Sequence, residues 1–418
     1  MNRRWVILGA AMLIQLCLGT LYAWSVFVNP LKIAYGFTNT QTQIVFSLNV
    51  AAIALAVLFA GRWQDKIGPR KVIVFGGLLF GGGYLLAGLL SQGSFAVIVT
   101  GIGIISGIGS GFAYISVVAT GIKWFPERKG LITGLIVGGM GSGTIIIAEL
   151  SSHLIQQVGV LGTFTAFGIV FLAVVIPLAM VFKNPPVGAE AEKIEEPQVV
   201  MKKEMTRREM FKTMQFWILW TMFVCGASAG LMYIGILKSF GERLPGITSV
   251  MAGAAVAIFA LGNTAGRISL GWLSDKIGFR ETLFFMFITQ ALMISALVNM
   301  ISPYNFWPDF LPIFYQPSMA GLGVVSAWMG FNFGANFSLF PSATAKSFGI
   351  KNLGANYGAM FTAYGIGGLI GPIINGKILD RTGSCLYAFI LAMVLCFIAA
   401  LLSLCAKEEN RRKDAYPE

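Results

Sequence analysis

The chain has 418 residues, 56% of them hydrophobic and only 11% charged, and its mean hydropathy is +0.76. A soluble domain carries roughly 25% charged residues, so this balance excludes an ordinary water-soluble enzyme and predicts a polytopic membrane protein. The formal charge of +12 does not point to nucleic acid, because the basic residues fall in short segments between apolar runs rather than along one face.

About 20 apolar residues cross a bilayer. On that measure the chain holds twelve spans, at about 5–28, 42–62, 72–92, 95–120, 130–152, 162–182, 213–239, 249–271, 282–301, 310–340, 353–376 and 385–406. The opening Met-Asn-Arg-Arg and the apolar run behind it read as an uncleaved first span, too long for a signal peptide and without a small-residue cleavage site. An even number of spans puts both termini on one side. Of the 30 Lys and Arg, five (Lys32, Lys238, Arg243, Lys377, Arg381) fall at the opposite ends and Arg267 lies within a span, which leaves 24 on the side of the termini. The positive-inside rule then predicts cytoplasmic termini in a multi-pass plasma (inner) membrane protein. The resulting organisation is a six-span bundle at 1–182, a hydrophilic linker at 183–212, a second six-span bundle at 213–406 and a cytoplasmic tail at 407–418. The fold class is all-α.

No metal or cofactor is expected. Cys17, Cys225, Cys385, Cys396 and Cys405 sit in apolar runs without paired spacing, and the one histidine, His153, has no evident nucleophile beside it, which argues against an enzyme. Gly101-Ile102-Gly103-Ile104-Ile105-Ser106-Gly107 has dinucleotide-like spacing but lies inside a span, where small residues serve helix packing. The two bundles share a mark. Gly61-Arg62-Trp63-Gln64-Asp65-Lys66-Ile67-Gly68-Pro69-Arg70 recurs as Gly271-Trp272-Leu273-Ser274-Asp275-Lys276-Ile277-Gly278-Phe279-Arg280, each time between the second and third span of its bundle. Such duplication implies parallel repeats with the substrate site between them at the midplane.

Arg267 interrupts the long apolar run of the eighth span with no opposite charge in sequence beside it. An arginine near the bilayer centre costs roughly 2.5–3.5 kcal/mol even on the lenient insertion scale, so its expected partner is a mobile anion. The alternative is a snorkelling arginine near a helix end. Glu149 and His153, one turn apart near the end of the fifth span, are candidates for proton carriage, but Ser151, Ser152 and Gln156 continue a wet helix end that favours plain solvation.

The duplicated loop pattern resembles the signature of the major facilitator superfamily. By that resemblance Asp65, Arg70, Asp275 and Arg280 would act as conformational latches. More narrowly, Tyr22-Ala23-Trp24-Ser25-Val26-Phe27-Val28-Asn29-Pro30, Lys123-Trp124-Phe125-Pro126-Glu127-Arg128-Lys129-Gly130, and Phe340-Pro341-Ser342 through Asn356-Tyr357-Gly358 resemble the oxalate/formate antiporter family, related to the monocarboxylate porters. Arg267 matches the arginine that both groups use for a substrate carboxylate. Two departures narrow the expectation. Tyr364 stands where oxalate exchangers have a second cation, which favours one carboxylate over two, and Asn263 stands where animal porters have an aspartate one turn before the arginine. The resemblance thus implies a monomeric alternating-access carrier in the lipid bilayer for a small monocarboxylate such as lactate, pyruvate or formate. Proton symport is the expected coupling, with oxalate/formate-type exchange or an anion sensor as alternatives. Arg267 would hold the carboxylate; Asn263, Tyr22, Tyr114, Tyr364 and Asn336 would lend hydrogen bonds; Met140, Phe333 and Phe337 would form the apolar wall.

Overall fold

A computed structural model describes residues 3–125, 129–185, 204–302, 317–349 and 352–407; side chains at 62, 65, 129–131, 133, 353 and 354 lie outside the description. Also outside it are most of the linker (186–203), Pro126-Glu127-Arg128, the expected start of the tenth span at 310, and residues 408–418. The described residues form α1 (Arg3–Leu18), α2 (Ser25–Tyr35), α3 (Asn39–Ile67), α4 (Pro69–Leu90), α5 (Phe95–Ile98), α6 (Gly107–Trp124), α7 (Lys129–Ala179), α8 (Arg207–Met210), α9 (Met214–Ile234), α10 (Leu237–Gly241), α11 (Ser249–Ile277), α12 (Phe279–Ile301), α13 (Met319–Phe348), α14 (Leu353–Thr382) and α15 (Leu386–Cys405), with no strand among them.

Ten of these stretches are long and apolar enough to cross a membrane. One of the ten, Gly134–Ala179, is 46 residues long. At 1.5 Å per residue it would reach about 69 Å, more than twice the roughly 30 Å of hydrocarbon, so it makes two crossings. They divide at Gly159, whose φ of 73° is a conformation that glycine adopts without the steric cost of a Cβ. The loop expected between spans five and six is therefore a one-residue break, because apolar sequence continues through it. With α13 counted, the described residues make twelve crossings. Leu55, Phe59, Leu78, Leu89, Ile169, Leu261, Ile268 and Leu401 are all exposed on the outside of the bundle, a surface suited to lipid rather than water.

The first span of each half is broken. After α1 the chain makes a 3₁₀ turn at Gly19–Leu21 before α2 begins, and after α9 it turns at Gly235 and Ile236 before α10. Gly19 lies so close to α7 that a Cβ there would sit 2.5 Å from the Met140 carbonyl oxygen, and Thr144 Oγ1 donates to the Gly19 carbonyl at 3.0 Å. A π-helical segment at Val99–Ser106 separates α5 from α6. Side-chain caps start the long helices: Thr38 forms a capping box with Gln41 on α3, Thr248 caps α11, and Ser318 caps α13. Within the first six spans α4 and α1 pack on α7 and α3 on α6; within the last six, α11 packs on α13, α12 on α15 and α9 on α14. The two sets meet along α3 with α14, α7 with α11, and α2 with α10.

Candidate functional site

Glycine fixes where the arginine stands. Gly262 and Gly266 of α11 face Gly330 and Gly334 of α13, and a Cβ at any of them would overlap a backbone oxygen across the interface: that of Ala327, Phe331, Phe259 or Asn263. The two backbones therefore touch, as small residues permit between membrane helices. Arg267 projects from beside this contact toward the first six spans. Its guanidinium carbon sits 4.8 Å from the centroid of the Phe337 ring, a cation–π arrangement. Its Nε and Nη1 are buried and have no hydrogen-bond partner among the described residues.

Around the guanidinium is a cavity lined by Leu18, Leu21, Tyr22, Ile53, Ser110, Tyr114 and Met140 from the first half and Arg267, Phe337, Phe361 and Tyr364 from the second. Its empty volume is about 390 Å³, and about 20 Å³ is open to the centre of a water-sized sphere. One water needs roughly 10–15 Å³ by that measure, so the cavity in this conformation suits a ligand of a few atoms. Arg267 is the one charged residue in this lining, which leaves a net charge of +1. The hydroxyls of Tyr22 and Tyr364 approach to 3.5 Å across the two halves. A neighbouring pocket lined by Trp24, Asn49, Tyr84 and Ser110 among others has no charged residue in its lining.

Of the residues expected at the site, Arg267, Tyr22, Tyr114, Met140, Phe337 and Tyr364 line this one cavity. Phe333 stands behind it, edge-on to Tyr22 at 5.8 Å and to Phe337 at 5.6 Å. Asn263 is buried one turn before Arg267, with its amide nitrogen unpartnered. Asn336 is turned away: its side-chain nitrogen donates to the Phe333 carbonyl at 3.0 Å and its oxygen faces Gly226 of α9. Leu18, Leu21, Ile53, Ser110 and Phe361 were not singled out in the sequence, although Leu18, Ser110 and Phe361 lie one turn from Tyr22, Tyr114 and Tyr364 and so share their faces. Among the latch candidates, Asp275 pairs with Lys346 at 3.7 Å and Lys346 also donates to the Ser274 carbonyl at 3.0 Å. Arg70 and Arg280 stand in the first turns of α4 and α12, and the Asp65 side chain is outside the description. Glu149 and His153 are both exposed, and His153 Nε2 lies 2.9 Å from Gln157 Nε2.

At the end of the bundle away from the linker the halves are tied together. Asp380 accepts from the backbone N–H of Asn39 at 2.9 Å and of Thr40 at 2.7 Å, and from Asn39 Nδ2 at 2.7 Å, so its carboxylate seats on the N-terminus of α3. Gly376 permits the approach, since a Cβ there would sit 2.7 Å from Thr40 Cα. Asn29 donates to Glu242, and Gln43 to the Gly235 carbonyl at 3.1 Å. Asp380 belongs to a third copy of the loop pattern: Gly376-x-x-x-Asp380-x-x-Gly383 repeats Gly61-x-x-x-Asp65-x-x-Gly68 and Gly271-x-x-x-Asp275-x-x-Gly278, and Gly68, Gly278 and Gly383 all take positive φ (84°, 99° and 69°). Beside this lock lies a second buried cation. Lys238 of α10 is 7% exposed and donates to Ser152 Oγ of α7 at 2.8 Å, so Arg267 is not the only basic residue held inside the bundle.

Comparison with known proteins agrees with this layout. The model of the Major Facilitator Superfamily matches residues 9–372, with a further match over 246–418. The chain is similar to an oxalate:formate antiporter of Oxalobacter formigenes, 28% identical over 96% of this chain and 91% of that one. It is also similar to apicoplast pyruvate carrier 1 of Toxoplasma gondii (23%, covering 86% and 81%) and to monocarboxylate transporter 12 of Rattus norvegicus (24%, covering 98% and 86%). With twelve crossings and a match over most of its length, the chain belongs to the major facilitator superfamily and is a multi-pass membrane transporter, not an enzyme.

Proposed function

We propose that this chain carries small monocarboxylate anions, of the formate, pyruvate and lactate class, by alternating access between two six-span halves. The observation that carries the reading is the pair of buried donors on Arg267, Nε and Nη1, which have no partner among the described residues, in a small cavity with no carboxylate in its lining. A buried charge without a partner is costly, and a planar carboxylate offers two acceptors matched to the guanidinium fork. The single positive charge favours one carboxylate over two, while Phe337 and Met140 suit a short apolar tail. Relatives named for pyruvate, monocarboxylates, oxalate and formate support the same class. Coupling by proton symport has no acidic side chain to use among the lining residues. The proton would therefore accompany the substrate's own carboxylate, and the same absence favours anion exchange as the second reading. Purified protein in proteoliposomes should take up radiolabelled formate, pyruvate or lactate more readily than oxalate. Acceleration by an inward proton gradient identifies symport, and dependence on internal anion identifies exchange. Equal uptake by the wild type and Arg267→Ala would refute the assignment of the site.

A further inference from the structure

Lys238 is a buried charge for which the Arg267 cavity has no use. Its ammonium is held by one hydrogen bond, to the neutral hydroxyl of Ser152, and makes no ion pair within 4 Å among the described residues. Of the nearby carboxylates, Glu242 is engaged by Asn29 and Ser249, and Glu149 is exposed. Both carboxylates act on the ammonium through space, but neither contacts it. The bond also crosses the boundary between halves, from α10 of the second to α7 of the first.

Its depth can be placed along α7. Ser152 follows Met140, which lines the cavity, by twelve residues, or roughly 18 Å of helix. Lys238 therefore sits about three turns from the cavity, toward the end where Asp380 and Asn39 tie the halves together. When the halves part at that end, the bond to Ser152 has to break and the ammonium faces the opened space. Once that mouth is open and filled with salt solution, a separation of roughly 18 Å is about twice the Debye length, so the ammonium exerts little pull on an anion already at the cavity. It acts on one still entering.

We propose that Lys238 is a second, transient anion site at the mouth away from the linker: it is stored on Ser152 when that mouth is closed, and it receives the carboxylate of an entering monocarboxylate when the mouth opens. This rests on the monocarboxylate reading of the Arg267 cavity. The test separates the two. In oriented proteoliposomes, initial uptake of whichever of formate, pyruvate or lactate the wild type transports best is measured with the anion supplied on the side away from the linker. Lys238→Gln should raise KM about fivefold, the contact attraction of two unit charges in water, and flatten its salt dependence. Lys238→Arg should restore both. Ser152→Ala, which removes only the storage bond, should leave KM within about twofold, and anion affinity at Arg267, measured by tryptophan fluorescence in detergent, should be unchanged in all three variants. If Lys238→Gln and Ser152→Ala behave alike, or if Lys238→Gln lowers the maximal rate with KM unmoved, Lys238 is a strut and the proposal is wrong. Retained anion binding by Arg267→Ala would instead overturn the cavity assignment itself.

Discussion

Replacing Arg267 with methionine should stabilise the anion-free protein while abolishing its response to anions. Beside the cavity Nε and Nη1 are buried with no protein partner among the described residues. An unsatisfied buried donor costs about 1–3 kcal/mol, so the pair costs roughly 2–6 kcal/mol. The Phe337 face at 4.8 Å returns about 0.5–2 kcal/mol as cation–π attraction. The balance leaves the arginine destabilising by about 2–3 kcal/mol on central values. Methionine fills similar space with no polar atom to satisfy and packs well against rings. For a cooperative unit of about 200 residues, 1 kcal/mol moves the unfolding midpoint by roughly 2–4 °C, so Arg267→Met should unfold about 4–12 °C higher than the wild type. Tryptophan fluorescence during a thermal ramp in detergent measures this directly. Formate or pyruvate should then raise the wild-type midpoint and leave the variant unmoved. A variant that melts several degrees below the wild type without anion would show the guanidinium to be a structural tie, and the reasoning from unpaired donors would fail.

Other perturbations probe neighbouring steps. Arg267→Lys keeps the charge but gives up one arm of the fork; losing one charge-assisted hydrogen bond of about 1.5–3 kcal/mol should weaken anion affinity roughly 10- to 150-fold, as equilibrium binding would report. Glu149→Gln should leave pH-driven accumulation in proteoliposomes unchanged, since the side chain is exposed and apart from the cavity; loss of accumulation with exchange intact would make it the proton carrier. Asp380→Asn removes a carboxylate from the α3 N-terminus, an attraction of about 0.3–1 kcal/mol. Labelling of a Gln43→Cys probe beneath that lock should then rise about two- to fivefold, and unchanged labelling would show that the contact does not hold the mouth closed.

Much of this architecture is legible in the sequence because membrane spans announce themselves through long apolar runs, and a lone arginine inside one stands out against them. The cavity residues were partly legible for a related reason. Tyr22, Tyr114 and Tyr364 carry polar groups on spans that are otherwise mostly apolar, and helical spacing brings Leu18, Ser110 and Phe361 along. What failed depends on which neighbour covers a face. Asn336 lies one turn from Asn332, but only the position of α9 decides that its amide turns toward Gly226 rather than the cavity. Lys238 was placed at the outer end of the seventh span by its position alone, whereas the break at Gly235 and Ile236 sets it on α10, buried beside α7. The pattern around Asp380 went unread because its two known copies lie at the opposite end of the molecule, and its role appears only when α14 is laid against the start of α3.

The glycine contact between α11 and α13 limits how the site can move. With backbones touching at four glycines, neither helix has room to slide past the other without a collision, which favours Arg267 and the Phe337 ring beneath it moving as one unit. On the proposed reading, a carboxylate bound there would ride with the second half. What would change around it is the first half, which would bring Tyr22, Tyr114 and Met140 up to the anion or withdraw them. The arginine then acts as a fixed berth carried on one wall, and the difference in affinity between the two sides of the membrane is set by groups on the other wall, which can be altered without disturbing the charge.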